Sequence, residues 1–125
     1  MDRIMLKSKI HRATLTGADL HYEGSIAIDK TLMAKADLVP GEQVHVLNIN
    51  NGSRFITYVI EADAGSRAVV LNGAAARLAA VGDMVIILSY CSLPESELPG
   101  FSPRIVLVDE QNNMLEQRVD SSAQE

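Results

Sequence analysis

Few residue types in this chain could carry chemistry, and they lie far apart in sequence. A serine follows a glycine at Gly24-Ser25, between a strand-like N-terminal run and the apolar stretch Ile26 to Ile28. A glycine-serine pair most often marks a turn, and serine becomes a nucleophile only when its surroundings activate it. Four cations gather at Arg3, Lys7, Lys9 and Arg12 although the net charge is -5. They read either as a local anion site or as a solvated strand edge. Arg54 could grip a carboxylate with its planar two-donor fork, or stand as an edge charge after a hairpin. Tyr58 carries a phenol that stays protonated at neutral pH and could donate a proton, or it is an aromatic at a barrel rim. The single cysteine, Cys91, has no partner for an internal disulfide and reads as a strand-end hydrophobe. His11, His21 and His45 are scattered, so no metal site is expected.

The elements that must position these residues are short. Arg3 to Leu15 reads as a long strand on which Lys7, Lys9 and His11 share a face if the strand is regular. Gly17-Ala18-Asp19 is expected to break it. Asp29 is suited to cap a short helix through Ala36, with Leu32 and Met33 as its apolar contacts. Val44 to Ile49 and Arg54 to Ile60 read as strands joined by the hairpin signal Asn50-Asn51-Gly52. On the second of them Arg54, Ile56, Tyr58 and Ile60 face one way, and Phe55, Thr57 and Val59 the other. Val69 to Leu71 is a short strand before a helix-prone run, Ala74 to Ala80. Met84 to Cys91 is nearly all apolar, Ser92 to Gly100 reads as a loop with room for one helical turn, and Ile105 to Val108 is a last strand. Roughly 110–125 reads as a loose tail. The whole reads as one domain, residues 1–125, all-β with a few short helices, and the pattern suggests a small closed barrel.

Composition sets outer bounds. With 47% hydrophobic residues the chain has a core to bury, and no apolar stretch approaches the roughly 20 residues that cross a bilayer as a helix. The acidic balance argues against a nucleic-acid partner. Neither export nor membrane insertion is signalled, which leaves the cytoplasm as the expected compartment.

Four blocks carry a more specific signal: Met5 to Ala13, Leu20 to Asp29, Asn51 to Tyr58, and Asn72 to Ala76 followed by Val81-Gly82-Asp83. In order and spacing they resemble the pyruvoyl-dependent aspartate 1-decarboxylases over about Met1 to Val108. The resemblance implies a double-psi β-barrel that cuts itself between Gly24 and Ser25, giving a small chain, 1–24, and a larger one, 25–125. In that chemistry the Ser25 hydroxyl attacks the Gly24 carbonyl, the ester eliminates, and hydrolysis leaves a pyruvoyl group at position 25. Glycine suits position 24 because it tolerates strained backbone and leaves its carbonyl open to attack.

The resemblance also implies roles. The pyruvoyl ketone would form a Schiff base with L-aspartate and release carbon dioxide and β-alanine, a precursor of pantothenate and coenzyme A. Tyr58 would be the proton donor; Lys9, Arg54, Thr57, Gly73, Ala74 and Ala75 would contact substrate; Asn72, His11 and Tyr22 would serve processing or orientation. Thr57 alternates with Tyr58 along one strand, so both serve a single site only if the strand twists or Thr57 faces a neighbouring subunit. Family members often carry a bulkier hydrophobe at the position of Leu47, which alters a pocket wall and no chemistry. A homotetramer with sites between subunits is the implied assembly, and the resemblance leaves room for a maturation factor. The alternative is a non-enzymatic barrel used for binding or assembly, in which Gly24-Ser25 is an ordinary turn and the chain stays whole.

Overall fold

A computed structural model describes residues 1–119 of the chain. The described residues form nine strands: β1 (Asp2–Thr14), β2 (Gly17–Asp19), β3 (Ser25–Asp29), β4 (Gln43–Asn48), β5 (Arg54–Ala62), β6 (Val69–Asn72), β7 (Met84–Pro94), β8 (Arg104–Val108) and β9 (Met114–Val119). One α-helix, α1 (Lys30–Lys35), follows β3, and 3-10 helices cover Gly73–Leu78 and Glu95–Gly100. Gly17 to Asp19, expected as a break, is instead the strand β2, parallel to β6. It continues the line of β1, with the Leu15 and Thr16 amides bonded to the Asp83 and Val69 carbonyls.

That continuity closes the sheet. Going round from β1–β2, the neighbours are β7, β4, β5, β3 and β6, and β6 returns to β2. The ring has two parallel contacts, β2 with β6 and β3 with β5. The architecture is a small closed β-barrel, as the strand pattern suggests. Closure leaves the ring strands no free edge. Alternation along the strands sends Ile10, Ala13, Ile26, Ile28, Val44, Val46, Val59, Val69, Leu71, Val85 and Ile87 into the core.

Asp29 ends β3 and caps α1 by accepting from the Thr31 amide at 2.8 Å. Leu32 and Met33 pack inward, as the spacing predicts. The β4–β5 hairpin and the two faces of β5 also agree with the sequence pattern.

β1 is less regular than expected. Its register with β7 slips between Leu6 and Ser8 and again between Ile10 and Ala13, so Lys7 falls at a bulge and does not share a regular face with Lys9 and His11. Lys7 Nζ instead pairs with Glu42 Oε2 at 2.7 Å, and Arg3 pairs with Glu95 at 2.8 Å. The four cations therefore do not act as one anion site, because two of them have local carboxylates. The stretch read as a loose tail from 110 differs too: β9 lies antiparallel on β8, and Asn112 is buried, holding Thr14 and Arg67 backbone groups. Residues 120–125, the end of that tail, lie outside the described residues. Among the described residues no helix is long and apolar enough to cross a membrane.

Candidate active site

Ser25 opens β3 directly opposite Asn72, the last residue of β6. It is buried, and its Oγ accepts a hydrogen bond from Asn72 Nδ2 at 3.1 Å. The parallel register sets Ile26 level with Val59, so Ser25 comes level with Tyr58. The Tyr58 hydroxyl accordingly donates to the Gly24 carbonyl oxygen at 3.3 Å. Both sides of the Gly24–Ser25 peptide are thus gripped, the nucleophilic oxygen by an amide and the carbonyl by a phenol.

Strain sits on the serine rather than the glycine. Ser25 has a φ of 116°, a conformation that costs a residue with a side chain about 1–3 kcal/mol. Gly24 has no positive φ, and a Cβ built on it meets nothing within 4 Å. Glycine suits position 24 through its open surroundings, and the strain it could tolerate falls on Ser25 instead. The glycine that the geometry demands is Gly73, with a φ of 73°. A Cβ there would lie 2.8 Å from Gly24 Cα, 3.0 Å from Gly24 N and 3.1 Å from the Tyr22 carbonyl oxygen.

The remaining site residues divide. Ala74 is exposed just after Gly73, Ala75 packs against the core, and the Tyr22 side chain is exposed above the turn. Thr57 is level with Val44 on the opposite face of β5 from Tyr58, and among the described residues it makes none of the hydrogen bonds that frame the Gly24–Ser25 peptide. His11 is half-buried on β1, level with Leu107. Arg54 shares the outer face of β5 with Tyr58 but stands four residues away, about 13 Å along the backbone. Lys9 is in the cross-strand row Lys9, Leu88, His45, Ile56, which puts it three strands from β5, about 14 Å. Arg54 lines a groove of about 540 Å³ with Ile4, Gln43, His45, Tyr90, Cys91 and Ser92. Neither Ser25 nor Tyr58 belongs to that groove.

A profile of aspartate decarboxylases matches residues 1–115. The chain belongs to the aspartate decarboxylase family. Among its relatives, an aspartate 1-decarboxylase of Thermoanaerobacter pseudethanolicus is 55% identical over 112 residues, covering 90% of this chain and 96% of that one. Another from Syntrophus aciditrophicus is 57% identical over 114 residues, covering 91% and 98%. The computationally designed msDPBB_sym2 protein superposes with a TM-score of 0.48 at 22% identity, covering 71% of this chain and 99% of the design.

In this member of the family, sequence reasoning alone passes over the residues that brace the site from behind. The Leu78 carbonyl accepts from Asn51 Nδ2 and Ser53 Oγ, each at 2.9 Å, and from Asn48 Nδ2 at 3.3 Å. Asp83 accepts from Asn48 Nδ2 and the Ala80 amide, and those two bonds hold its carboxyl below the usual aspartate range. Asn50-Asn51-Gly52 signals a hairpin and gives no hint of its reach. Among the described residues no cluster of three His, Cys, Asp or Glu side chains could hold a metal ion.

Proposed function

We propose that the chain is a self-processing aspartate 1-decarboxylase, in which the Gly24–Ser25 bond breaks autocatalytically and residue 25 becomes a pyruvoyl cap. The observation that carries this reading is the framing of that single peptide: Asn72 on Ser25 Oγ, Tyr58 on the Gly24 oxygen, and a strained φ at Ser25. An ordinary turn has no use for these three together, so the residues present fit the group.

Processing follows from the same contacts. Ser25 Oγ attacks the Gly24 carbonyl carbon, the Gly24–Ser25 C–N bond breaks as the ester forms, and the Tyr58 O–H steadies the charge that develops on oxygen. Elimination then frees Gly24 as a carboxylate, and hydrolysis expels ammonia and leaves a ketone on residue 25. The products are the segments 1–24 and 25–125. Relief of the positive φ at Ser25 favours departure from the precursor geometry.

Once formed, the cap supplies the electron-accepting carbonyl that decarboxylation of an amino acid requires and that no ordinary side chain offers. The chain's own residues do the rest. Tyr58 delivers a proton to the substrate α-carbon after carbon dioxide departs, a role that its hydrogen bond to Gly24 supports. Arg54 and Lys9 hold the two carboxylates of L-aspartate. Both lie away from Tyr58 within one chain, so a neighbouring copy brings them to the site. Exposed Ile4, Ile56 and Tyr90 on the same outer face support burial there. We read the assembly as a homotetramer with sites between subunits, working in the cytoplasm to supply β-alanine for pantothenate and coenzyme A. A maturation factor could assist the cleavage.

The test is an intact mass spectrum under denaturing conditions. Two fragments meeting after Gly24 are expected, the larger lighter by one ammonia than a serine-ended chain. Ser25→Ala should stay whole and release no carbon dioxide from aspartate; full activity in that variant would sink the reading.

A further inference from the structure

We propose that the 3-10 helix Gly73–Leu78 is a backstop that sets the scissile turn for self-processing, with Gly73 as its contact point and Asn51 and Ser53 as positioning residues holding its far end. The inference rests on the self-processing reading above and adds residues to it that act before any substrate binds.

The contact end is defined by backbone alone. The space a Gly73 Cβ would occupy is bounded by Gly24 Cα, Gly24 N and the Tyr22 carbonyl, at 2.8, 3.0 and 3.1 Å. No flexible side chain is available to yield, so any residue larger than glycine must push the turn away from Asn72 and Tyr58. Among the described residues, the side-chain hydrogen bonds that hold the attacking oxygen and the carbonyl it must reach are those two. A displacement of about 1 Å in such an arrangement costs on the order of 100-fold in rate.

A backstop must itself be fixed. The helix presents little apolar surface for that purpose: Arg77 and Leu78 are exposed, and only Ala75 and, just beyond its end, Ala79 pack against the core. Polar groups take over at its last residue, where the Leu78 carbonyl accepts from Asn51 and Ser53 at 2.9 Å each, with Asn48 at 3.3 Å. Asn51 Oδ1 in turn accepts from the Ser53 amide at 2.9 Å, which locks the two donors into one unit. The β4–β5 hairpin therefore reaches across to the helix and, through it, to Gly24.

Gly41 supplies the control. Its φ of 87° lies in the same left-handed region as the 73° of Gly73, yet a Cβ on it meets nothing within 4 Å, and it stands outside the β4–β5 hairpin. Gly41→Ala carries the cost of a positive φ without the clash. The experiment follows the conversion of freshly purified precursor into two fragments by intact mass, with a melting curve for each variant. Gly73→Ala is expected to cleave about 100-fold more slowly than wild type, while Gly41→Ala cleaves near the wild-type rate. Asn51→Asp keeps the acceptor for Ser53 and loses only the donor to Leu78, so slowed cleavage without a matching loss of melting temperature is expected. Ser53→Ala should be slow and Ser53→Thr, which retains the hydroxyl, restored. If Gly73→Ala fails to fold, the Asn51 and Ser53 variants carry the test. Cleavage of Gly73→Ala at the wild-type rate, or in step with Gly41→Ala, overturns the backstop, and wild-type rates in both Asn51→Asp and Ser53→Ala overturn the latch. A wild-type chain that stays whole after prolonged warming overturns the self-processing reading, which separates that failure from this one.

Discussion

Replacing Asp29 should destabilise the fold by an amount that depends on pH in a defined direction. The residue is 2% exposed, and its carboxylate accepts three backbone N–H bonds, from Thr31 at 2.8 Å, Gly65 at 3.0 Å and Arg67 at 2.7 Å. Burial raises its carboxyl, but the three amides of Thr31, Arg67 and Gly65 outweigh that and hold it below the ordinary aspartate range. Asp29→Ala loses the cap of α1, about 1 kcal/mol, and strands two loop amides that keep partial access to water, about 1 kcal/mol each. The sum is about 3 kcal/mol, or on the order of 10 °C in melting temperature for a domain of this size. Asp29→Asn keeps one acceptor oxygen and turns an amide donor against another, so about half that loss is expected. A group whose pKa is depressed on folding contributes stability that is fully present above its unfolded pKa, about 4, and is lost as pH falls through the lower folded value. The gap between parent and Asp29→Asn should therefore be constant near neutrality and shrink below about pH 4. Thermal and urea melts in a Ser25→Ala background, where one covalent species is present, measure it. Equal melting temperatures at pH 7, or a gap that widens in acid, would refute the reasoning.

Two further outcomes follow from the site. Arg54→Ala should raise the KM for L-aspartate about 10- to 100-fold through loss of a charged hydrogen-bonded pair, with Arg54→Lys recovering part of it and cleavage at Gly24 unaffected; steady-state carbon dioxide release reads this, and an unchanged KM removes Arg54 from the substrate. Tyr58→Phe, assayed on chains confirmed by mass to be cut, should lower kcat by about 10²- to 10⁴-fold as expected for a lost general acid, with little change in KM. A kcat near wild type in that variant would assign the proton to another group.

Local pattern carried the fold far. Alternation on β5 placed Tyr58 and Thr57 on opposite faces, and the carboxylate of Asp29 marked the start of α1, because both signals are read within a few residues. What it missed depends on contacts between distant segments. Gly17-Ala18-Asp19 has the composition of a break, yet the Val69 to Asn72 edge offers hydrogen bonds that three residues of either kind will accept. Lys7 fell out of the expected cationic face because the bulges that retain register with β7 are invisible in β1 alone. The polar stretch from 110 looked loose, and its buried Asn112 is explained only by the Thr14 and Arg67 backbone groups it satisfies.

The demand for glycine shows the same limit from the other side. Gly24 is the residue a chemist would single out, since it precedes the nucleophile, yet its own geometry asks for nothing special. Gly73, read from sequence as a substrate contact, is where a side chain cannot fit, and the reason lies 49 positions away in the turn it touches. The division of the cations from Tyr58 has a similar origin. Strand alternation puts Arg54 and Tyr58 on one outer face, and the register across β1, β7, β4 and β5 adds Lys9 to it, but a face is not a site. On the reading proposed above, Arg54 and Tyr58, about 13 Å apart along one strand, would serve one small dicarboxylate where that face meets a neighbouring copy. The period of two specifies the face, and apolar residues such as Ile4 and Ile56 are left exposed on it. Under the proposed assembly, those exposed residues rather than the reacting ones would decide whether a second copy completes the site.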